Sequence, residues 1–453
     1  MSRVRIKRQE KKIPARLLSQ TLSVCPRCLR RINASYVERG GKVYMEKSCP
    51  EHGRFSVPVW TDAKNFLRWQ GSTEVSLETV KDGTSNCPHD CGICANHKQP
   101  TCCVLMEVTA RCNLRCPVCF ASSGEKAAPE DPGMEQISEW YDMLMGNGGP
   151  FNIQLSGGEP TMRDDLDEII RMGREKGFSF FQLNTNGLRL ARQPEYLEGL
   201  AKAGLNTVFL QFDGFSKESS VKLRGDDLIS EKKQAIANCK AAGVGVVLVP
   251  TVMGGVNDDQ LGAILDFAAD NMPMVRGVHF QPASFFGRSE AGDKDKGRIT
   301  LPDLFARIEV QTAGRVKARD FMPSNAEHPL CGFHADFAVV GGRWKLQGGG
   351  GSCCGGVSSS QARQAVARKW SAPVQVSDEP LGADYDLSSL DDFLKLRREK
   401  TLAISGMAFQ DAWNLDLKRL QRCYIHEISP DGQLIPFCAY NLSSADGETI
   451  YRK

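Results

Sequence analysis

The sequence predicts an α/β fold, and three observations carry that prediction. From Val104 to Pro282 short β-rich runs alternate with amphipathic helical stretches, the pattern of consecutive βαβ units and a parallel sheet. A cysteine-rich module precedes this stretch and a longer region with scattered thiols follows it. The composition, 41% hydrophobic and 25% charged, is that of a globular chain with room for two or three domains of about 150 residues each. The expected organisation is a basic tail at 1–21, a cysteine-rich module at 22–100, the β/α domain at 101–290 and a C-terminal region at 291–453.

In chain order, the start MSRVRIKRQEKKIPAR is rich in Lys and Arg, with one acid and no apolar segment behind it. It reads as a solvated tail rather than a secretory signal. Next, Cys25-Pro-Arg-Cys28 is followed by Cys49-Pro-Glu-His52. This spacing resembles a zinc ribbon, and Gly40-Gly41 between two β-rich runs reads as the hairpin that returns the second pair to the first. Four such ligands suit a mononuclear Zn or Fe. His52 is either the fourth ligand or a turn cap whose place a cysteine takes.

Six β-rich runs follow: Val104 to Thr109, Asn152 to Leu155, Phe178 to Leu183, Thr207 to Phe212, Val244 to Val252 and Val278 to Gln281. Between them Met134, Ile137, Tyr141 and Leu144 recur at helical spacing, as do Leu166, Ile169 and Ile170 behind Asp164-Asp165. Six β/α units make an incomplete barrel or a doubly wound sheet. In both, ligands belong at the carboxyl ends of the strands.

The chain holds seventeen cysteines, eleven of them between Cys25 and Cys119. That is about 4% of the residues, below the roughly 8–10% of a disulfide scaffold, so metal ligation is the first reading. Cys87-x3-Cys91-x2-Cys94 and Cys112-x3-Cys116-x2-Cys119 share one spacing. Pro88 and Pro117 push the preceding cysteines out of helical conformation, so both triplets sit on loops able to wrap an iron-sulfur cluster. Context separates them. The second triplet ends the first strand, and Gly157-Gly158-Glu159-Pro160 ends the next, where two glycines let backbone approach a ligand. Cys102, Cys103 or a C-terminal thiol is the expected fourth ligand of the first triplet. Pro430-Asp431-Gly432 marks a turn with Cys423 and Cys438 at nearly equal distance on either side. In that hairpin the two face each other, and with Cys331 and one of Cys353 and Cys354 they complete a second auxiliary centre. Cys239, in a helical stretch, reads as a buried apolar residue.

The segment Thr109-Ala-Arg-Cys112-Asn-Leu-Arg-Cys116-Pro-Val-Cys119-Phe120, with Gly157 to Pro160 behind it, closely resembles the radical S-adenosylmethionine (SAM) superfamily. The resemblance implies a partial (β/α)6 barrel. It also implies a [4Fe-4S] cluster on Cys112, Cys116 and Cys119 whose open iron takes SAM, and reductive cleavage of SAM to a 5'-deoxyadenosyl radical that abstracts hydrogen. Gly157, Gly158, Glu159 and Pro160 are then SAM contacts, joined at strand ends by Asn184, Asn186, Gln211, Asp213 and Gln281. CPRC, CPEHG, CPHDCGICANHK, LQFDG, VPTVMGGVND, RGVHFQPASF, QDAWN and RCYIHEISPDGQLIPFCAYN, within residues 22 to 443, are similar to the tetraether lipid synthase branch, which joins carbons at unactivated positions. GGGGSCCGG departs from that branch and is similar to the TrsS group of radical SAM proteins, some of which carry selenocysteine there.

These features together predict carbon-carbon or carbon-sulfur bond formation, or methyl transfer, on an unknown substrate. Peptide or protein modification and non-catalytic electron transfer are the alternatives. The cofactors are the SAM cluster, SAM, one or two auxiliary iron-sulfur clusters and the ribbon's Zn or Fe. A low-potential donor such as ferredoxin or flavodoxin is the implied partner. Lys+Arg 57 against Asp+Glu 54 gives no case for nucleic acid. No run reaches the roughly 18 apolar residues of a membrane span, which leaves a cytoplasmic location and, through the tail, peripheral membrane contact.

Overall fold

The computed structural model describes residues 14–70, 86–94, 96–124, 128–289, 297–323, 327–347, 359–373 and 389–452. Cys353 and Cys354 lie outside the described residues.

The N-terminal module is a four-stranded antiparallel sheet in sequence order, formed by β1 (Arg16–Val24), β2 (Arg31–Arg39), β3 (Lys42–Cys49) and β4 (Gly53–Trp60). Gly40 and Gly41 close the β2–β3 hairpin at φ +61° and +78°, a conformation open to glycine at little cost. The module does not hang free. Thr21 and Tyr36 hydroxyls donate to the two Asp416 carboxylate oxygens at 2.6 Å each, and buried Lys47 donates to the Ala412 carbonyl at 2.7 Å.

The main body is one sheet. Its expected strands are β5 (Cys103–Thr109), β6 (Asn152–Gly157), β7 (Phe181–Thr185), β8 (Thr207–Gln211), β9 (Gly245–Val249) with the short β10 (Thr251–Val252), and β11 (Val275–Pro282). The run expected as a single strand at Val244 to Val252 breaks at Pro250, which has no N–H for a ladder bond. Then come β12 (Met322–Pro323), β13 (Gly332–Val340), β14 (Arg343–Leu346), β15 (Thr401–Met407), β16 (Ile425–Ile428) and β17 (Leu434–Pro436).

The sheet runs in the order β12-β13-β15-β11-β9-β8-β7-β6-β5-β16-β17. Strands β5 to β9 and β11 are parallel, as are β15 on β11 and β16 on β5. The sheet therefore does not stop at residue 290, where the sequence places a domain boundary. C-terminal strands extend it on both sides, and the path stays open among the described residues. The β16–β17 hairpin turns at Pro430-Asp431-Gly432 as expected, with His426 opposite Pro436.

Helices cover the sheet. Met134–Gly146 buries Ile137, Trp140, Tyr141 and Leu144, and Leu166–Glu175 buries Leu166, Ile169, Ile170 and Gly173, with Asp167 and Glu168 as the acids of its first turn and the expected pair Asp164-Asp165 just before it. Burying each large aliphatic side chain contributes about 1.5–3 kcal/mol. At Gly173 the helix packs so close that a Cβ would lie 2.5 Å from the Phe181 ring and 2.8 Å from that of Tyr141. No helix among the described residues is long and apolar enough to cross a membrane.

Candidate active site

Strand β5 delivers the second cysteine triplet to the carboxyl edge of the sheet, and three loops lock together around it. Gly158 N–H donates to the Thr109 carbonyl and Glu159 N–H to that of Arg111, both at 2.8 Å. A Cβ on Gly157, at φ +121°, would meet the Thr109 carbonyl oxygen at 2.1 Å, and one on Gly158 would meet that of Arg111 at 2.3 Å. The two glycines thus admit the neighbouring loop's backbone, which is a packing reason beside the ligand-approach reason read from sequence.

Glu159 is the hub of this assembly. Its carboxylate accepts from Thr161 N–H and hydroxyl, from the Thr185 hydroxyl at 2.6 Å and from Asn186 N–H at 2.7 Å. Asn186 in turn donates through its side chain to Asn113 Oδ1 at 2.7 Å. Arg288, which the sequence reading passed over, clamps the triplet from the other side. Its guanidinium donates to the Cys116 carbonyl at 2.7 Å and to those of Ser122 and Ser123, and its backbone exchanges hydrogen bonds with Cys119. A lone arginine in a loop carries no local motif, so only the fold reveals this contact.

Cys112, Cys116 and Cys119 line a single cavity of about 370 Å³ together with Gly157, Gly158, Glu159, Asn184, Asn186, Gln211 and Gln281. Pro160 and Asp213 do not line it. Pro160 opens a one-turn 3-10 helix, Pro160–Met162. Asp213 is held by Arg224 in a buried bidentate ion pair at 2.6 and 2.8 Å. In the orientation its hydrogen bonds favour, the Gln211 oxygen accepts from the same guanidinium at 2.8 Å.

The donor set fits an iron-sulfur cluster. All three thiols are free of disulfides. Burial, with the charge of Glu159 and the two sister thiols, pushes Cys112 up to about 12, and burial raises Cys116 as well. Such thiols become ligands only when a cation repays the cost of ionising them. Three of them in one loop is the set that leaves one iron of a cubane open.

The ribbon forms a compact centre. Ligand atoms of Cys25, Cys28, Cys49 and His52 all lie within 4.8 Å of one another, with Cys28 Sγ to Cys49 Sγ at 4.0 Å and Cys49 Sγ to His52 Nδ1 at 3.5 Å. A tetrahedron of Zn–S bonds about 2.3 Å long has edges of roughly 3.8 Å, so the spacing of these four donor atoms, His52 among them, suits a single ion. Burial raises the Cys49 thiol, yet hydrogen bonds from His52 and from Glu51 and His52 backbone bring it down to about 6.

Two further thiol trios line small cavities of their own. Cys87, Cys91 and Cys94 share one with His97 and Pro436. Cys331, Cys423 and Cys438 share another with Arg419 and Gln410, although some ninety residues of chain separate Cys331 from Cys423. Burial pushes all three thiols up, Cys438 to about 12; Arg419 donating to Cys331 Sγ at 3.4 Å and Gln410 N–H to Cys438 Sγ at 3.3 Å oppose that rise only in part. Between the trios, His97 Nε2 meets His426 Nε2 at 3.2 Å and the Cys423 carbonyl at 2.7 Å. Cys102 and Cys103, two of the candidates for the fourth ligand of the first triplet, line the main cavity and not the small one of Cys87, Cys91 and Cys94. Cys239 is buried in its helix.

Two family models match the chain: the radical SAM superfamily over residues 106–268, and an HMPTM N-terminal zinc ribbon domain over residues 17–61. The chain is 38% identical to a 7,8-dihydro-6-hydroxymethylpterin dimethyltransferase of Methanocaldococcus jannaschii, across 93% of each. It is 29% identical to a GTP 3',8-cyclase of Nautilia profundicola, over 39% of this chain and 55% of that one. Among solved structures, Streptococcus suis SuiB bound to S-adenosylmethionine matches at 19% identity over 48% of each chain, with a TM-score of 0.39. With its cysteine loop, its zinc ribbon and a relative similar along nearly its whole length, the chain belongs to the radical SAM superfamily and is a radical SAM enzyme.

Proposed function

We propose that this enzyme forms a carbon-carbon bond at an unactivated carbon, with methyl transfer as the favoured form. The observation that carries the reading is one cavity lined at once by the three cysteines of the triplet, the Gly157–Glu159 loop and a wall of aromatic rings that includes Phe120, Phe286, Phe409 and Phe437. The name of the M. jannaschii relative supports methyl transfer, and its pterin is one substrate to try.

In this reading Cys112, Cys116 and Cys119 hold a [4Fe-4S] cluster, while Gly157, Gly158, Asn184, Asn186, Gln211 and Gln281 surround SAM. Cluster and SAM, when bound, supply a 5'-deoxyadenosyl radical that removes a hydrogen atom from substrate. The chain's own residues do the rest. Glu159 and Asn186 keep three loops in register, Arg288 holds the triplet's backbone, and the aromatic wall keeps water from the reacting carbon. Asp213 acts through Arg224 rather than by contact, and Pro160 through the turn it opens. The trios Cys87, Cys91, Cys94 and Cys331, Cys423, Cys438 hold auxiliary iron-sulfur centres, the ribbon holds Zn or Fe, and a ferredoxin- or flavodoxin-class donor supplies electrons.

Anaerobically reconstituted protein given dithionite and SAM should release 5'-deoxyadenosine. None above a control with Cys112, Cys116 and Cys119 changed to Ala would sink the reading. With methyl-labelled SAM, label in the product marks SAM as the methyl donor, and the product's mass tells an added methyl from the coupling of two substrate carbons.

A further inference from the structure

Away from the main cavity, an open groove reaches the first cysteine triplet from outside. It encloses about 490 Å³ between the ribbon sheet and the C-terminal body, and its lining includes Leu22 of β1, Arg31 of β2, Cys87, Asn96, Lys418 and Gln421. Arg31 and Lys418 are exposed, and so is Leu22 at 41%. The Lys418 ammonium donates to the Gln20 carbonyl at 2.9 Å, which ties the two walls together and fixes where its charge sits. Exposed Lys98 is bound to the same wall, its N–H on the Gln421 carbonyl at 2.7 Å. Among the described residues no acid lines the groove: Glu51 is taken up by Arg30 at 2.8 Å, and Asp90 stands outside the lining. A concave surface carrying one sign of charge attracts partners of the other.

Of the triplet, Cys87 alone lines this groove, and it is buried there. Its thiol is held below the usual range, chiefly by the hydrogen bond from Cys91 and with help from the Arg31 charge, against its own burial and the charge of Cys94. The groove leads inwards by shared walls. Cys87 lines the small cavity of Cys91 and Cys94, Leu420 lines that cavity and the one of Cys331, Cys423 and Cys438, and Phe437 lines the latter and the main cavity. Phe437 in turn packs on Phe120, the neighbour of Cys119, at 5.7 Å. The three cysteine sets therefore stand in series, and the set of Cys87 is the one that meets the groove.

We propose that this groove is the docking site of a low-potential electron carrier with an acidic face, and that the electron enters the chain on the Cys87 side. Charges around an exposed leucine match the layout of a transient protein contact, polar at its rim and apolar within. In the transfer the carrier loses one electron and the centre held by the first triplet gains it; no bond forms or breaks and no proton moves. The inference rests on the proposed reading of that triplet as an iron-sulfur centre and of the carrier as the reductant.

The test is anaerobic titration of the reconstituted holoprotein with oxidised flavodoxin, read by the flavin's absorbance at low salt. Wild type should bind saturably, and Arg31→Glu combined with Lys418→Glu should weaken binding at least tenfold. Arg31→Lys combined with Lys418→Arg keeps both charges and should bind as wild type does, which guards against a folding defect. At about 1 M salt, where charges are felt over only about 3 Å, wild type should weaken towards the charge-reversed protein. Absence of saturable binding, equal binding by the charge-reversed protein, loss of binding by the charge-preserving pair, or a larger loss from Arg115→Glu on the second cysteine loop overturns the proposal. Iron analysis and dithionite-driven release of 5'-deoxyadenosine by the same wild-type preparation report the radical reading separately, so the two can fail independently.

Discussion

The Asn186 side chain donates to Asn113 Oδ1 at 2.7 Å and accepts from Leu188 N–H at 3.0 Å. One residue thereby joins the loop after β7 to the cysteine loop after β5, seventy-three positions away. Asn186→Ala removes both bonds from a buried position and should cost about 1–3 kcal/mol. Anaerobic urea unfolding measures this, and a cost near zero would show that the loops hold together without the bridge.

Arg288 is expected to govern iron retention. Arg288→Ala strips the clamp from the Cys116, Ser122 and Ser123 carbonyls, so the triplet should lose its cluster, roughly four irons per chain. Iron and sulfide analysis checks this, with the electron paramagnetic resonance of the reduced protein as a second readout. Lys, which keeps the charge but not the fork, should rescue partially.

Removing the ribbon's donor should act on a single ion. His52→Ala should lower bound metal by about one equivalent per chain and loosen the module, while iron at the triplet stays. Elemental analysis distinguishes the two pools. Loss of iron without loss of the single ion would place His52 elsewhere in the metal inventory.

The buried His279 predicts a pH dependence. Its folded-state value, lowered by burial to about 4, lies below the unfolded value near 6.5. The unfolded chain therefore binds the proton first as pH falls, and stability present above about 6.5 is lost towards 4. His279→Gln should flatten this part of the profile. Unfolding measured from pH 7.5 to 4.5 on both proteins gives the difference, and parallel profiles would contradict it.

Gly173→Ala tests the helix packing. With the new methyl 2.5 Å from Phe181 and 2.8 Å from Tyr141, overpacking should cost about 1–3 kcal/mol despite alanine's better helix propensity. Thermal unfolding decides the sign.

Much of this molecule is local in origin, and that much was legible in the sequence. Short β-rich runs between helical stretches placed the six strands to within a few residues, because a parallel strand covered on both faces needs a nearly continuous run of apolar neighbours. The CxxxCxxC loop, the GGEP turn and the ribbon's ligand pairs were readable because metal chemistry demands fixed residue types at short spacing. Other features depend on which strand lies beside which. Only the order of the sheet brings Cys331 to Cys423 and Cys438, sets Arg288 on the Cys116 loop, and turns Cys102 and Cys103 into the main cavity. Only side-chain geometry commits Glu159 and Asp213 to neighbouring residues. The physical reason is that spacing along a chain specifies what a residue can bind, whereas the long-range pairing of strands decides what it meets.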